Sequence, residues 1–116
     1  MNVLIVDEKL YSQMQMYLIL HQQHNVEIAL DEEDAMRRLD NNNADIVLLD
    51  MHYPAKKSKI PKGNFASKVR KKYPKVRLIG IHNRDDANLN RFAEKLGLKL
   101  LSRPIKSRLL MKAVNN

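Results

Sequence analysis

The chain has 116 residues, 44% of them hydrophobic and 29% charged, with a formal net charge of +8 and neither cysteine nor tryptophan. That is the length of one domain with enough apolar residues for a packed core, which excludes a disordered chain. The missing cysteines exclude a disulfide scaffold, a cysteine-bound zinc and a thiol nucleophile. The apolar runs, such as Val3 to Val6 and Ile46 to Leu49, fall far short of the about 20 residues that a membrane span needs. No secretory signal opens the chain, so a soluble cytoplasmic domain with no membrane partner is expected.

In chain order, five short runs rich in Val, Ile and Leu stand out: Asn2–Val6, Val26–Leu30, Asp45–Leu49, Arg77–Ile81 and Leu98–Leu101. Continuous apolar runs of this kind predict strands buried on both faces, as in a parallel sheet. Segments with helical spacing lie between them. The first, from about Lys9 to His24, is expected to turn Leu10, Met14, Tyr17, Leu18 and His21 inward. The second follows Asp31, a good N-cap, with Asp34 three residues on in a weaker capping box, and presents Ala35, Met36 and Leu39. The third opens after Gly63, carries Phe65, Ala66 and Val69, and ends before Pro74. The fourth runs from about Asp85 to Leu96 with Leu89, Phe92 and Ala93 inward, and Gly97 stops it. The last starts near Pro104 and carries Ile105, Leu109, Leu110 and Val114. Met14, Met16, Met36 and Met111 read as core filler. Strand and helix alternate five times, which predicts a flavodoxin-like (βα)5 α/β domain with a doubly wound parallel sheet and strand order 2-1-3-4-5.

In such a sheet the chemistry lies beyond the carboxyl ends of the strands. The residues there are Asp7 and Glu8 after the first strand, Asp50 after the third, His82 and Asn83 after the fourth, and Ser102 and Arg103 after the fifth. Three carboxylates in one pocket repel, so they are no stability device. Oxygen-only donors suit a hard divalent cation, with Mg2+ expected at Asp7, Glu8 and Asp50, and a carboxylate beside it can accept a phosphoryl group. Nucleotide binding is disfavoured: the loop after the first strand is acidic rather than glycine-rich, and no GxxxxGK[ST] or GxGxxG occurs.

With these residues in view, the sequence resembles the receiver domain of bacterial two-component response regulators over essentially residues 1–116. The resemblance rests on VLIVDE (Val3–Glu8), ADIVLLDMHYP (Ala44–Pro54) and SRPI (Ser102–Ile105), in order and spacing. It implies that Asp50 is the phospho-acceptor and that Asp7, Glu8, Asp50 and the backbone carbonyl of His52 hold Mg2+. It also implies that His82, Asn83 and Arg103 contact the phosphoryl group, and that Leu100 stands where the family has a switch aromatic. No catalytic residue beyond Asp50 is implied, and the domain is not expected to be an enzyme. The implied partners are a histidine kinase or phosphotransfer protein and a downstream protein, with a homodimer left open. The chain is expected to be either a stand-alone receiver or a fragment of a larger regulator.

Three departures favour an alternative, a phosphorylation-independent pseudo-receiver that binds protein or nucleic acid through a basic face. His82 replaces a small hydroxyl residue, Arg103 replaces a lysine, and Leu100 replaces the aromatic. An arginine fork can grip a carboxylate with two hydrogen bonds, so Arg103 is able to hold Asp50 without any phosphate. A loop longer than the family's, Ala55 to Lys62, brings Lys56, Lys57 and Lys59 over the pocket. The net charge is also uneven: residues 1–54 carry −7 and residues 55–116 carry +15. Lys68 to Lys72 invites a nucleic-acid reading, yet only Tyr73 interleaves there as an aromatic. His21 and His24 read as surface histidines rather than metal ligands.

Overall fold

A computed structural model describes residues 1–42, 44–51, 63–83 and 87–116. The sequence-predicted elements appear in order: β1 (Asn2–Val6), α1 (Leu10–Leu20), β2 (Asn25–Ala29), α2 (Glu32–Asn42), β3 (Ile46–Asp50), α3 (Gly63–Lys72), β4 (Arg77–His82), α4 (Ala87–Leu96), β5 (Lys99–Ser102) and α5 (Ser107–Asn115). The five strands form one parallel sheet in the order β2-β1-β3-β4-β5. Among the described residues no helix is long and apolar enough to cross a membrane.

The central strands β1 and β3 are apolar between their polar ends, Val3 to Val6 and Ile46 to Leu49, because both of their faces are covered. Leu4, Val6, Val47 and Leu49 point to the α2, α3 and α4 side, where Leu39, Phe65, Val69 and Leu89 pack on them. Val3, Ile5, Ile46 and Leu48 point to the α1 and α5 side, against Met16, Leu20, Leu110 and Val114. Each such side chain contributes about 1.5–3 kcal/mol by leaving water. The edge strands β2 and β5 are only partly buried.

α2 starts as its capping residues predict. The Asp34 N–H donates to Asp31 Oδ1 (2.7 Å), while Asp34 Oδ2 accepts the Leu30 N–H (2.8 Å) and Arg38 Nε–H (3.0 Å). The Leu30 N–H, with Arg38 next in weight, holds the Asp34 carboxyl below its ordinary value. A lowered folded-state value adds stability that is present above the unfolded carboxylate value and is lost as pH falls through the folded one. Asp34→Asn is therefore expected to flatten the acid limb of the stability–pH curve below about pH 4, read by urea unfolding across pH. An unchanged limb contradicts the assignment.

α4 ends on a Schellman turn: the Leu98 N–H donates to the Ala93 carbonyl (2.8 Å) and the Gly97 N–H to the Glu94 carbonyl (3.3 Å), with Gly97 at φ 67°. Arg70 is no solvated charge of a basic run. Its guanidinium donates to the carbonyls of Leu96 (2.8 Å), Pro74 (3.0 Å) and Val76 (2.7 Å), tying α3 to the end of α4 and the start of β4.

Gly80 lies in β4, paired with Leu49 of β3 on one side and Leu100 of β5 on the other. A Cβ there would stand 2.7 Å from Met51 Cγ and 3.0 Å from Leu100 Cδ2. Met51 is fully buried beside Asp50, so the clash would be passed to the end of β3. Gly80→Ala is expected to cost about 1–2 kcal/mol in urea unfolding, and wild-type stability in the variant would show that Met51 has room to move.

Three expectations are corrected. α1 buries Ser12, Met16 and Leu20 rather than the expected stripe; Leu10, Met14, Leu18 and His21 are exposed and Tyr17 is 38% exposed. The helix is apolar on nearly every side, so periodicity alone could not choose its inward face. Met14 is accordingly no core filler. α5 begins at Ser107 with Lys106 as N-cap, so Pro104 and Ile105 precede it, and Leu109 is exposed. The proposed start of α4 at Asp85 lies outside the described residues.

Candidate functional site

The strand order reverses between β1 and β3, and the residues at their carboxyl ends meet there. Asp7 follows β1 and Asp50 closes β3; both side chains are fully buried. Arg103, just after β5, reaches both. Its Nη2 donates to Asp7 Oδ2 at 2.9 Å and its Nη1 approaches Asp50 Oδ1 at 3.4 Å. The same guanidinium donates to Ser12 Oγ (3.2 Å) and to Asn83 Oδ1 (3.1 Å), and its own side chain is 17% exposed. One planar fork thus bridges the ends of β1, β3 and β4 and the first turn of α1.

Local backbone fixes these positions. Asp7 Oδ1 accepts the Lys9 N–H (2.9 Å), a side-chain turn that starts α1, and the Gln13 amide donates to the Asp7 carbonyl. The Met51 N–H donates to Ile81 O (2.9 Å) and the Arg103 N–H to His82 O (2.7 Å), which extends the sheet past Asp50 and Ser102. Position 103 is therefore held by the β4 backbone before its side chain makes any contact.

Of the sequence-predicted residues, the structure brings Asp7, Asp50, Asn83 and Arg103 together. Glu8 is exposed beside Asp7. His82 is buried at the end of β4. Leu100 is half-buried over Gly80, paired with it in the sheet and packed against the α2–α3–α4 core. His52 and the Ala55–Lys62 loop lie outside the described residues. Among the described residues no group of three or more His, Asp or Glu side chains is gathered as a metal-ligand set. Ser12 and Gln13 were not foreseen in the site. The reason is the apolar character of α1 on nearly every side, which left its spacing unable to show that Ser12, with Met16 and Leu20, faces inward.

Chemically, the arrangement is a pair of buried carboxylates that share one guanidinium from the end of the last strand, which offsets half of their charge. Such a pair breaks only at considerable cost, because a buried charge left without a counter-charge is strongly unfavourable. An anion arriving at Asp50 would also meet a guanidinium already in place, a geometry suited to phosphate oxygens.

No family model matches the sequence, and no curated protein does. Solved structures do match in fold. The CheY-like response regulator receiver domain protein of Methanospirillum hungatei JF-1 superimposes with TM-score 0.84 at 20% identity, covering 98% of this chain and 90% of that one. The chemotaxis protein CheY4 of Vibrio cholerae gives 0.86 at 19% identity, over 98% and 95%. A response regulator from Thermotoga maritima gives 0.85 at 21% identity, over 98% and 93%. The chain has the receiver-domain fold of the response regulators.

Proposed function

We propose that this chain is a two-component receiver domain in which Asp50 accepts a phosphoryl group from a phosphohistidine on a histidine kinase or phosphotransfer protein. The observation that carries this reading is the fully buried Asp50 carboxylate at the end of β3, on the same guanidinium as Asp7. In the transfer, an Asp50 carboxylate oxygen attacks phosphorus, the P–N bond to the imidazole breaks, and an acyl phosphate remains on Asp50. The departing imidazole keeps the electron pair and takes up a proton from solvent. Arg103 then has a better acceptor than a single carboxylate oxygen, since phosphate oxygens suit its two-pronged geometry. Turning toward them loosens its hold on Asp7 and Ser12, which changes how the β5 end sits against α1. That change would be the signal read by a downstream protein.

Asp7, Glu8 and Asp50 are the oxygen donors a hard divalent cation takes, and they would hold Mg2+ together with the backbone carbonyl of His52. When bound, the ion supplies positive charge against the phosphoryl oxygens. Arg103 presently supplies the positive charge between the two buried carboxylates, so it competes with the ion for the same oxygens.

The test is intact mass after incubation with Mg2+ and a small acyl-phosphate donor. Gain of one phosphoryl group in the wild type, with none in Asp50→Asn, is the expected result. No gain, with no stabilisation by Mg2+, would sink the acceptor reading and leave a phosphorylation-independent binding module.

A further inference from the structure

Arg103 does not clamp either acid. A terminal guanidinium nitrogen carries two hydrogens, and here each nitrogen divides them between one carboxylate and one neutral oxygen. Nη2 donates to Asp7 Oδ2 (2.9 Å) and Ser12 Oγ (3.2 Å); Nη1 donates to Asn83 Oδ1 (3.1 Å) and stands 3.4 Å from Asp50 Oδ1. Asp7 and Asp50 are the same chemical group and both side chains are fully buried, so neither chemistry nor burial explains why one contact is short and the other long. At Nη1 the order is inverted. A carboxylate is the stronger acceptor, with ion-paired N–H···O distances of about 2.7–2.9 Å, yet this nitrogen lies nearer the amide oxygen. The two neutral oxygens come from different elements. Ser12 is buried on the inward face of α1, and Asn83 is exposed immediately after β4. The Arg103 backbone is already pinned, because its N–H donates to the His82 carbonyl (2.7 Å). Where the side chain comes to rest is left to the groups around the guanidinium.

We propose that Ser12 and Asn83 are positioning residues, which seat Arg103 across both acids and keep it from closing on Asp50. The proposal rests on the reading of Asp50 as the acceptor. A carboxylate held by a two-pronged arginine must break charge-assisted hydrogen bonds before one of its oxygens attacks phosphorus. A guanidinium held at Asn83 removes that step. It also stands where phosphoryl oxygens arrive, preorganised beside the nucleophile. The amide oxygen of Asn83 is neutral, so Nη1 exchanges it readily for a charged phosphoryl oxygen. Asn83 thus keeps the place of the incoming group, while Ser12 keeps the other nitrogen on Asp7.

Asn83→Leu keeps the bulk of the side chain and removes the acceptor, whereas Asn83→Ala removes both. Each is expected to slow phosphoryl uptake from a small acyl-phosphate donor about tenfold, since the attack then has to break a tighter contact with Arg103. Loss of bulk alone would instead speed uptake in Asn83→Ala by opening the site, and would leave Asn83→Leu at the wild-type rate. Ser12→Ala is expected to act like Asn83→Leu, and Ser12→Thr, which restores the hydroxyl, to recover most of the rate. Should the buried Ser12 variants fail to fold, the exposed Asn83 carries the test. Both residues act through the arginine, so neither substitution should slow uptake further in an Arg103→Ala background. Crystal structures of the wild type and Asn83→Leu read the seat without any donor: Nη1 is expected to move from 3.4 Å to about 2.8 Å from Asp50. A guanidinium that stays in place in Asn83→Leu, faster uptake by Asn83→Ala, or equal slowing in the Arg103→Ala background would overturn the proposal. If the wild type itself takes up no phosphoryl group, the acceptor reading fails, and the crystallographic distance still decides whether Asn83 seats the arginine.

Discussion

Arg103→Ala is expected to lower the unfolding free energy by about 3 kcal/mol at neutral pH. The guanidinium is shared by Asp7 and Asp50, whose side chains are fully buried, and it also bonds Ser12 and Asn83. Removing it leaves two adjoining carboxylates without the cation both now use, and desolvation makes that costlier than losing a surface pair. Lysine should recover only part of the loss, because a single ammonium cannot reach both acids as a fork does. Added Mg2+ is expected to stabilise Arg103→Ala more than the wild type, since the ion then meets no competing guanidinium. Urea unfolding with and without Mg2+ measures both effects. A variant as stable as the wild type would mean that the bridge is incidental, and equal Mg2+ effects would mean that ion and arginine do not compete.

Arg70→Ala is expected to cost about 2–3 kcal/mol, from the loss of charge-assisted hydrogen bonds to three carbonyls at 2.7–3.0 Å. Those carbonyls belong to the end of α4 and to the turn into β4, and without the guanidinium they lose their side-chain partner. Arg70→Lys should be intermediate. Because Arg70 bonds backbone at the entry to β4, whereas Asp50 lies at the exit of the parallel strand β3, phosphoryl uptake in the folded variant should be unchanged. Loss of uptake at wild-type stability would contradict that separation.

The sheet was legible because its central strands are buried on both faces. Val3 to Val6 and Ile46 to Leu49 have no polar position to spare, and few structures other than a parallel sheet bury such runs completely. Asp31 and Asp34 announced the start of α2 because capping is local chemistry. α1 was misread for the complementary reason. With apolar residues on nearly every side, its inward face is chosen by what the sheet offers, and short Ser12, Met16 and Leu20 fit against the strands and Arg103. The same misreading hid Ser12 from the site and made the outer stripe look like core. Arg103 was foreseen as a grip on Asp50; its firmer hold on Asp7 was not, because the reach of a side chain across four strand ends is a tertiary property.

The central claim is that Asp50 carries the phosphoryl group. The most direct measurement treats the phosphorylated chain with hydroxylamine, which converts an acyl phosphate to a hydroxamate, and maps the modified residue by peptide mass. A hydroxamate at Asp50, with Asp7 and Glu8 unmodified, is the predicted result. Modification at another carboxylate, or at none after demonstrated exposure to the donor, would contradict the account.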